Sequence, residues 1–267
     1  MDEVRIYGRK PYSVVVVHGG PGAPGGVAPI AKELSKLFGV VETLHKADSM
    51  QGQLEELKEA IQTNCKGAVI LIGHSWGAWL SYIFAATYPK LVRKVILVGS
   101  GVFEEQYLKV LNDNRASRLT EEENQRMNEL LKSLHSDNDE DKKSILSEFG
   151  KLMSKADSFS PISLEDEILD FQPKVFENCM NDINSLRKNG ELLKLGHNIQ
   201  CSVVAIHGEY DTHPFEGVKN PLIRVIRDFK FILLKDCGHY PWNETYGKNL
   251  FYKILYTELS GVKTSYH

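Results

Sequence analysis

Runs of buried-type residues alternate with amphipathic stretches through the first hundred residues. SVVVVHGG (13–20) is a β-branched run closed by glycines, and APIAKELSKLF (28–38) carries helical apolar spacing at Ile30, Leu34 and Leu37. VVETLH (40–45) predicts a second strand and QLEELKEAIQTN (53–64) a second helix. AVILIG (68–73) predicts a third strand, the stretch from Ser75 to Tyr88 a third helix stopped by Pro89, and KVILVGS (94–100) a fourth strand. Strands that are apolar at nearly every position are covered on both faces, as in parallel sheets. The pattern therefore predicts an α/β fold with a mostly parallel open sheet.

After Gly101 the strands stop. Residues 102–195 read as helical, with loop signals at HSDNDED (135–141) and SFSPIS (158–163). The alternation resumes with CSVVAIHG (201–208), a helix around PLIRVIRDF (221–229), the strand KFILLK (230–235) and a closing helix from about Asn243 to Leu259. Two pieces, 1–101 and 196–267, thus form a core domain, and 102–195 is a helical cap inserted between two of its strands. No repeat of solenoid length interrupts this plan.

Charge refines the picture. The 267 residues carry a formal net charge of -3, and the insertion holds 20 Asp/Glu against 13 Lys/Arg. Without a basic tail or Lys/Arg block there is no footprint for nucleic acid, so the expected partner is a small molecule or short peptide. Cys65, Cys179, Cys201 and Cys237 show no metal-ligand spacing and predict free thiols in a reducing compartment. The opening MDEVRIYGRK has no apolar leader, and no apolar run approaches the roughly 18 residues that span a bilayer. A cytoplasmic protein with no membrane contact, no metal and no cofactor is expected, its oligomeric state open.

The chemistry is carried by GHSWG (73–77), a GxSxG turn between a buried strand and an apolar helix. Such a turn forces the serine into an unfavourable backbone region, and small flanking residues let neighbouring chain pass. Ser75 is the candidate nucleophile. It needs a base, and the base needs an orienting acid, expected in the order nucleophile, acid, histidine. Asp211 in HGEYDTHP and His239 in DCGHYPW follow later strands, at the carboxyl edge that Ser75 also occupies. Asp228 and Asp236 are the alternatives to Asp211. Oxyanion donors are expected from the amide of Trp76 and from Gly20 in HGGPGAPGG (18–26), with His18 supporting that loop.

Together HGGPG (18–22), GHSWG (73–77), GEYD (208–211) and DCGH (236–239) resemble the α/β-hydrolase superfamily, and are most similar to the proline iminopeptidase group, including the archaeal tricorn-interacting aminopeptidases. The resemblance implies a mostly parallel sheet flanked by helices, a Ser75–His239–Asp211 triad, and release of N-terminal residues from small peptides. It also implies cap acids that hold the substrate amine, for which Glu177, Asp182 and Glu191 are the candidates. Thr212 and His213 stand where several such peptidases carry an amine-binding acid, and EVRIYG (3–8) must replace the usual leading strands. A carboxylesterase or C–C bond hydrolase of small acyl compounds is the alternative, and a non-catalytic small-ligand receptor the rival from another class.

Overall fold

The computed structural model describes residues 3–134, 141–163 and 167–261; the loop expected at 135–141 lies outside them apart from Asp141. Seven strands, β1 (Val4–Tyr7), β2 (Tyr12–Val17), β3 (Gly39–Thr43), β4 (Val69–His74), β5 (Val92–Val98), β6 (Ser202–Gly208) and β7 (Phe229–Leu234), form one sheet in the order β1-β3-β2-β4-β5-β6-β7. Only β1 is antiparallel, paired with β3 through Val4–Thr43 to Tyr7–Val40. EVRIYG thus supplies one short leading strand.

Alternation within the strands builds two layers. Val15, Val17, Val69 and Leu71 face one core, with α2 (Met50–Asn64), α3 (Trp76–Thr87) and α9 (Glu216–Val225). Val14, Val16, Ile70 and Ile72 face the other, with α1 (Ala28–Leu34) and α10 (Lys248–Ser260). α2 starts where the Ser49 side chain accepts the Gly52 amide at 3.2 Å.

Three helices differ from the pattern-based expectation. α1 ends at Leu34, and Leu37, expected on its apolar face, is 72% exposed. α9 begins at Glu216 and runs through Pro221. Proline removes the amide that would bond the Gly217 carbonyl, and that carbonyl instead accepts from Phe103 at 3.0 Å, so the helix continues. The closing helix starts at Lys248, after a short 3-10 turn at Pro241–Asn243.

Between β5 and β6 lie α4 (Leu108–Ser117), α5 (Glu121–Leu134), α6 (Lys142–Asp157), α7 (Pro173–Lys188) and α8 (Glu191–Lys194). α5 and α6 form a small core of their own around Met127, Leu130, Leu146 and Phe149. α7 belongs to the main core: Val175, Cys179 and Ile183, each one turn apart, pack with α2 and α3. No helix among the described residues is long and apolar enough to cross a membrane.

Candidate active site

Ser75 links β4 to α3 with φ 52° and ψ -114°, a backbone state that costs a non-glycine residue about 1–3 kcal/mol. The surroundings enforce it. A Cβ on Gly73 would fall 2.0 Å from the Gly77 carbonyl oxygen, and one on Gly77 would fall 2.3 Å from the Val17 carbonyl oxygen, so only glycine fits at either side. The Ser75 amide donates to the Val98 carbonyl at 3.0 Å, tying the bend to β5.

From the ends of β6 and β7 come Asp211 and His239, both buried. His239 Nδ1 donates to Asp211 Oδ2 at 2.6 Å. Because the carboxylate can only accept, this bond puts the proton of the neutral ring on Nδ1 and leaves Nε2 with a lone pair. Ser75 adjoins the pair through its neighbour: His74 Nε2 donates to the His239 carbonyl at 3.0 Å, and the two rings lie 4.7 Å apart. No hydrogen bond joins the Ser75 hydroxyl to His239 among the described residues. Of the alternative acids, Asp236 sits in a turn at φ 48°, and Asp228 offers its backbone carbonyl to Val203 at 2.9 Å; the acid on His239 is Asp211.

Asp211 serves more than one imidazole. Its Oδ1 accepts from both the backbone amide and the Nδ1 of His213, each at 2.9 Å, and His207 Nε2 lies 3.4 Å from Oδ2 while donating to the His213 carbonyl at 2.9 Å. Burial would raise the Asp211 pKa, but the histidines 239, 207 and 213 outweigh it and hold the carboxyl well below its usual range. Burial likewise pulls His239 down, and Asp211 more than reverses this, so its pKa ends above the ordinary value. In His213 and His74 burial wins, and both are lowered. One donor atom each from Asp211, His213 and His239 fall within 4.8 Å of one another, a spacing a metal ion could bridge; here each Nδ1 already meets its own carboxylate oxygen.

The glycine-rich loop closes the other side. A Cβ on Gly19 would fall 3.1 Å from Ser75 Cβ, and Gly20 takes the left-handed φ of 62°. Trp76 is the first residue of α3, where amides have no intrahelical acceptor. Its indole donates to Gln53 Oε1 at 2.8 Å, which fixes the side chain away from its own amide. His18 is fully buried and donates to the Gly19 carbonyl at 3.0 Å, the supporting place expected of it, and burial pushes its pKa down to about 3. The stretch just before α7 clasps this loop: Gln172 and Leu169 donate their amides to the Gly22 and Pro24 carbonyls at 2.8 and 2.9 Å.

The three acids proposed for an amine do not gather. Asp182 Oδ2 accepts the Met50 amide at 2.9 Å, joining α7 to the start of α2. Glu191 is exposed and pairs with Lys194 at 2.7 Å, and Glu177 is half-buried. The acids that do reach the histidine loop are Asp157 and Glu244, which pattern reading did not single out. The Asp157 backbone carbonyl accepts the His239 amide at 2.8 Å, while its carboxylate accepts the Thr212 hydroxyl and lies 3.8 Å from Arg115. Fully buried Glu244 accepts the amides of Phe159, Ser160 and Gly238 at 2.8, 2.7 and 3.1 Å. The Asp157–His239 and Glu244–Phe159 contacts join segments about 80 residues apart, for which a sequence carries no local signal.

The chain belongs to the alpha/beta hydrolase fold family, whose model matches residues 46–240. Among solved structures it is similar to VinJ, with a TM-score of 0.70 and 18% identity over 97% of this chain and 95% of that one. E-2-(acetamidomethylene)succinate hydrolase superposes with a TM-score of 0.64 and 17% identity, covering 97% and 94%. A thermophilic esterase from Thermogutta terrifontis gives 0.62 and 18%, covering 98% and 93%. No curated protein sequence matches the chain.

Proposed function

We propose that the protein is a serine hydrolase of small acyl compounds, cleaving an ester-type bond through an acyl-enzyme without a cofactor. Ser75 attacks the carbonyl carbon while His239 Nε2 takes its proton, and the leaving group departs with that proton. Water then attacks the acyl-enzyme by the same route, and Asp211 keeps the imidazole in the working tautomer throughout. The amides of Gly20 and Trp76 stabilise the oxyanion, each worth about 2.7–4 kcal/mol in a comparable site. Residues 102–195 act as a cap that selects the substrate, and 1–101 with 196–267 as the catalytic core.

The observation that carries this reading is the 2.6 Å Asp211–His239 bond beside a serine at φ 52°. The choice of ester over peptide is supported by the acids: of the three candidates for a peptide amine, Asp182 and Glu191 are engaged elsewhere, which leaves Glu177 alone. Similarity to a structure named as an esterase points the same way.

An organophosphonate probe should label the protein, and Ser75→Ala should abolish labelling. Short-chain nitrophenyl esters should be turned over faster than proline or alanine arylamides. An intact protein that never labels overturns the hydrolase reading in favour of a receptor; faster arylamide turnover restores the iminopeptidase.

A further inference from the structure

Two buried hydrogen-bond donors meet in the seam between α3 and α7 without acceptors. Arg187 is 8% exposed and Trp79 6% exposed. Neither Arg187 Nε nor the Trp79 indole Nε1 has a partner among the described residues. The guanidinium carbon lies over the indole, 5.7 Å from its centroid. Among the described residues its one side-chain partner is neutral: Nη2 donates to Asn184 Oδ1 at 2.6 Å. Glu105, exposed on the turn after β5, acts on it only through space, and burial, the larger effect, lowers the Arg187 pKa.

A guanidinium removed from water without a counter-charge is costly, and an orphaned indole N–H adds to the cost. A carboxylate placed between the two would satisfy both. The seam adjoins the reacting centre proposed above. The Trp79 amide approaches the Ser75 carbonyl at 3.4 Å, in the first turn of α3. The indole packs on Gly101, where a Cβ would fall 2.2 Å from Trp79 Cζ2. Two residues earlier, a Cβ on Gly99 would fall 3.1 Å from His239 Nδ1 and 3.3 Å from Asp211 Oδ2.

We propose that Arg187 and Trp79 form an anion subsite for a carboxylate on the acyl substrate, so that the preferred substrates are acyl compounds bearing a free carboxylate, such as half-esters of short dicarboxylic acids. This assignment of substrate class rests on the hydrolase reading, but the subsite itself does not. One cation and one neutral N–H match a planar monoanion with two oxygens, whereas a phosphate dianion would keep an unmatched charge.

The test uses the full chain and has two arms. In the first, kcat/KM is compared for 4-nitrophenyl hemisuccinate and neutral 4-nitrophenyl butyrate. The wild type should favour the hemisuccinate by about 10-fold or more, and Arg187→Gln should bring the ratio close to one. Trp79→Phe, which keeps the ring and removes the N–H, should lower the ratio by a smaller factor, and it stands in should Arg187→Gln not fold. An equal ratio in the wild type, or an unchanged ratio in both folded variants, overturns the proposal. In the second arm, calorimetry measures succinate and inorganic phosphate binding independently of turnover. Succinate binding weakened about 10-fold or more by Arg187→Gln supports the subsite even if no ester is cleaved; no succinate binding, or tighter binding of phosphate, overturns it.

Discussion

His213 stacks on His239 with ring centroids 4.9 Å apart and planes 24° from parallel, and both rings donate Nδ1–H to opposite oxygens of Asp211. One carboxylate thus holds two imidazoles, of which only His239 receives enough of its charge to be raised. His213→Leu removes one donor from Asp211 Oδ1, leaving the backbone amide of residue 213, and concentrates the carboxylate on His239. The acid limb of kcat/KM should move to higher pH and the rate at pH 7 should fall, by about 3- to 10-fold for a lost hydrogen bond. A pH–rate profile of the variant against wild type checks this; coincident limbs would show that His213 only fills space.

For the wild type the sign is fixed by the same pair. His239 must be neutral to act as a base, and its pKa lies above the ordinary 6.5. Activity should therefore already decline as pH falls through a midpoint above 6.5. Kinetics in buffers from pH 5 to 9 give that midpoint. Asp211→Asn should cost about 10⁴-fold in kcat by trapping the wrong tautomer.

Glu244 is a buried carboxylate surrounded by three backbone amides. In Glu244→Gln the side-chain amide must turn N–H groups toward at least one backbone N–H. We expect a loss of about 2–3 kcal/mol in urea unfolding, together with lower kcat, because Gly238 directly precedes His239. Unchanged stability would mean that the amides find other acceptors.

Acid stability follows from the fully buried His18, whose pKa is pushed down to about 3. The unfolded chain binds a proton near pH 6.5 that the folded chain refuses, so stability is complete above that value and falls as pH drops toward 3. Between pH 7 and pH 5 His18 alone should remove about 2 kcal/mol. His74, also lowered, adds in the same direction, and raised His239 opposes. His18→Asn should flatten the pH dependence measured by denaturant titration.

The sheet and the Ser75 bend were legible because their causes are local. Apolar runs such as VILIG need cover on both faces, and glycine at positions 73 and 77 answers to carbonyls within the bend and the adjoining strand. Asp211 and His239 could be placed because both follow strands on one edge. The segment between β5 and β6 was legible only as helical composition: whether Asp182 faces a substrate or the Met50 amide depends on how α7 packs against α2, which periodicity does not specify. Asp157, Glu244 and the Arg187–Trp79 pair were invisible for the same reason. Each owes its role to a neighbour tens of residues away, and as isolated letters they are indistinguishable from surface acids, a charged helix end and a core aromatic.

The clasp between Gln172, Leu169 and the Gly22–Pro24 carbonyls has a mechanical consequence. The segment between β5 and β6 is fastened to the same glycine ribbon that supplies the proposed oxyanion donor. Drawing residues 169–172 away from the ribbon would break both fastenings and free it, so any such movement would also disturb the proposed oxyanion donor.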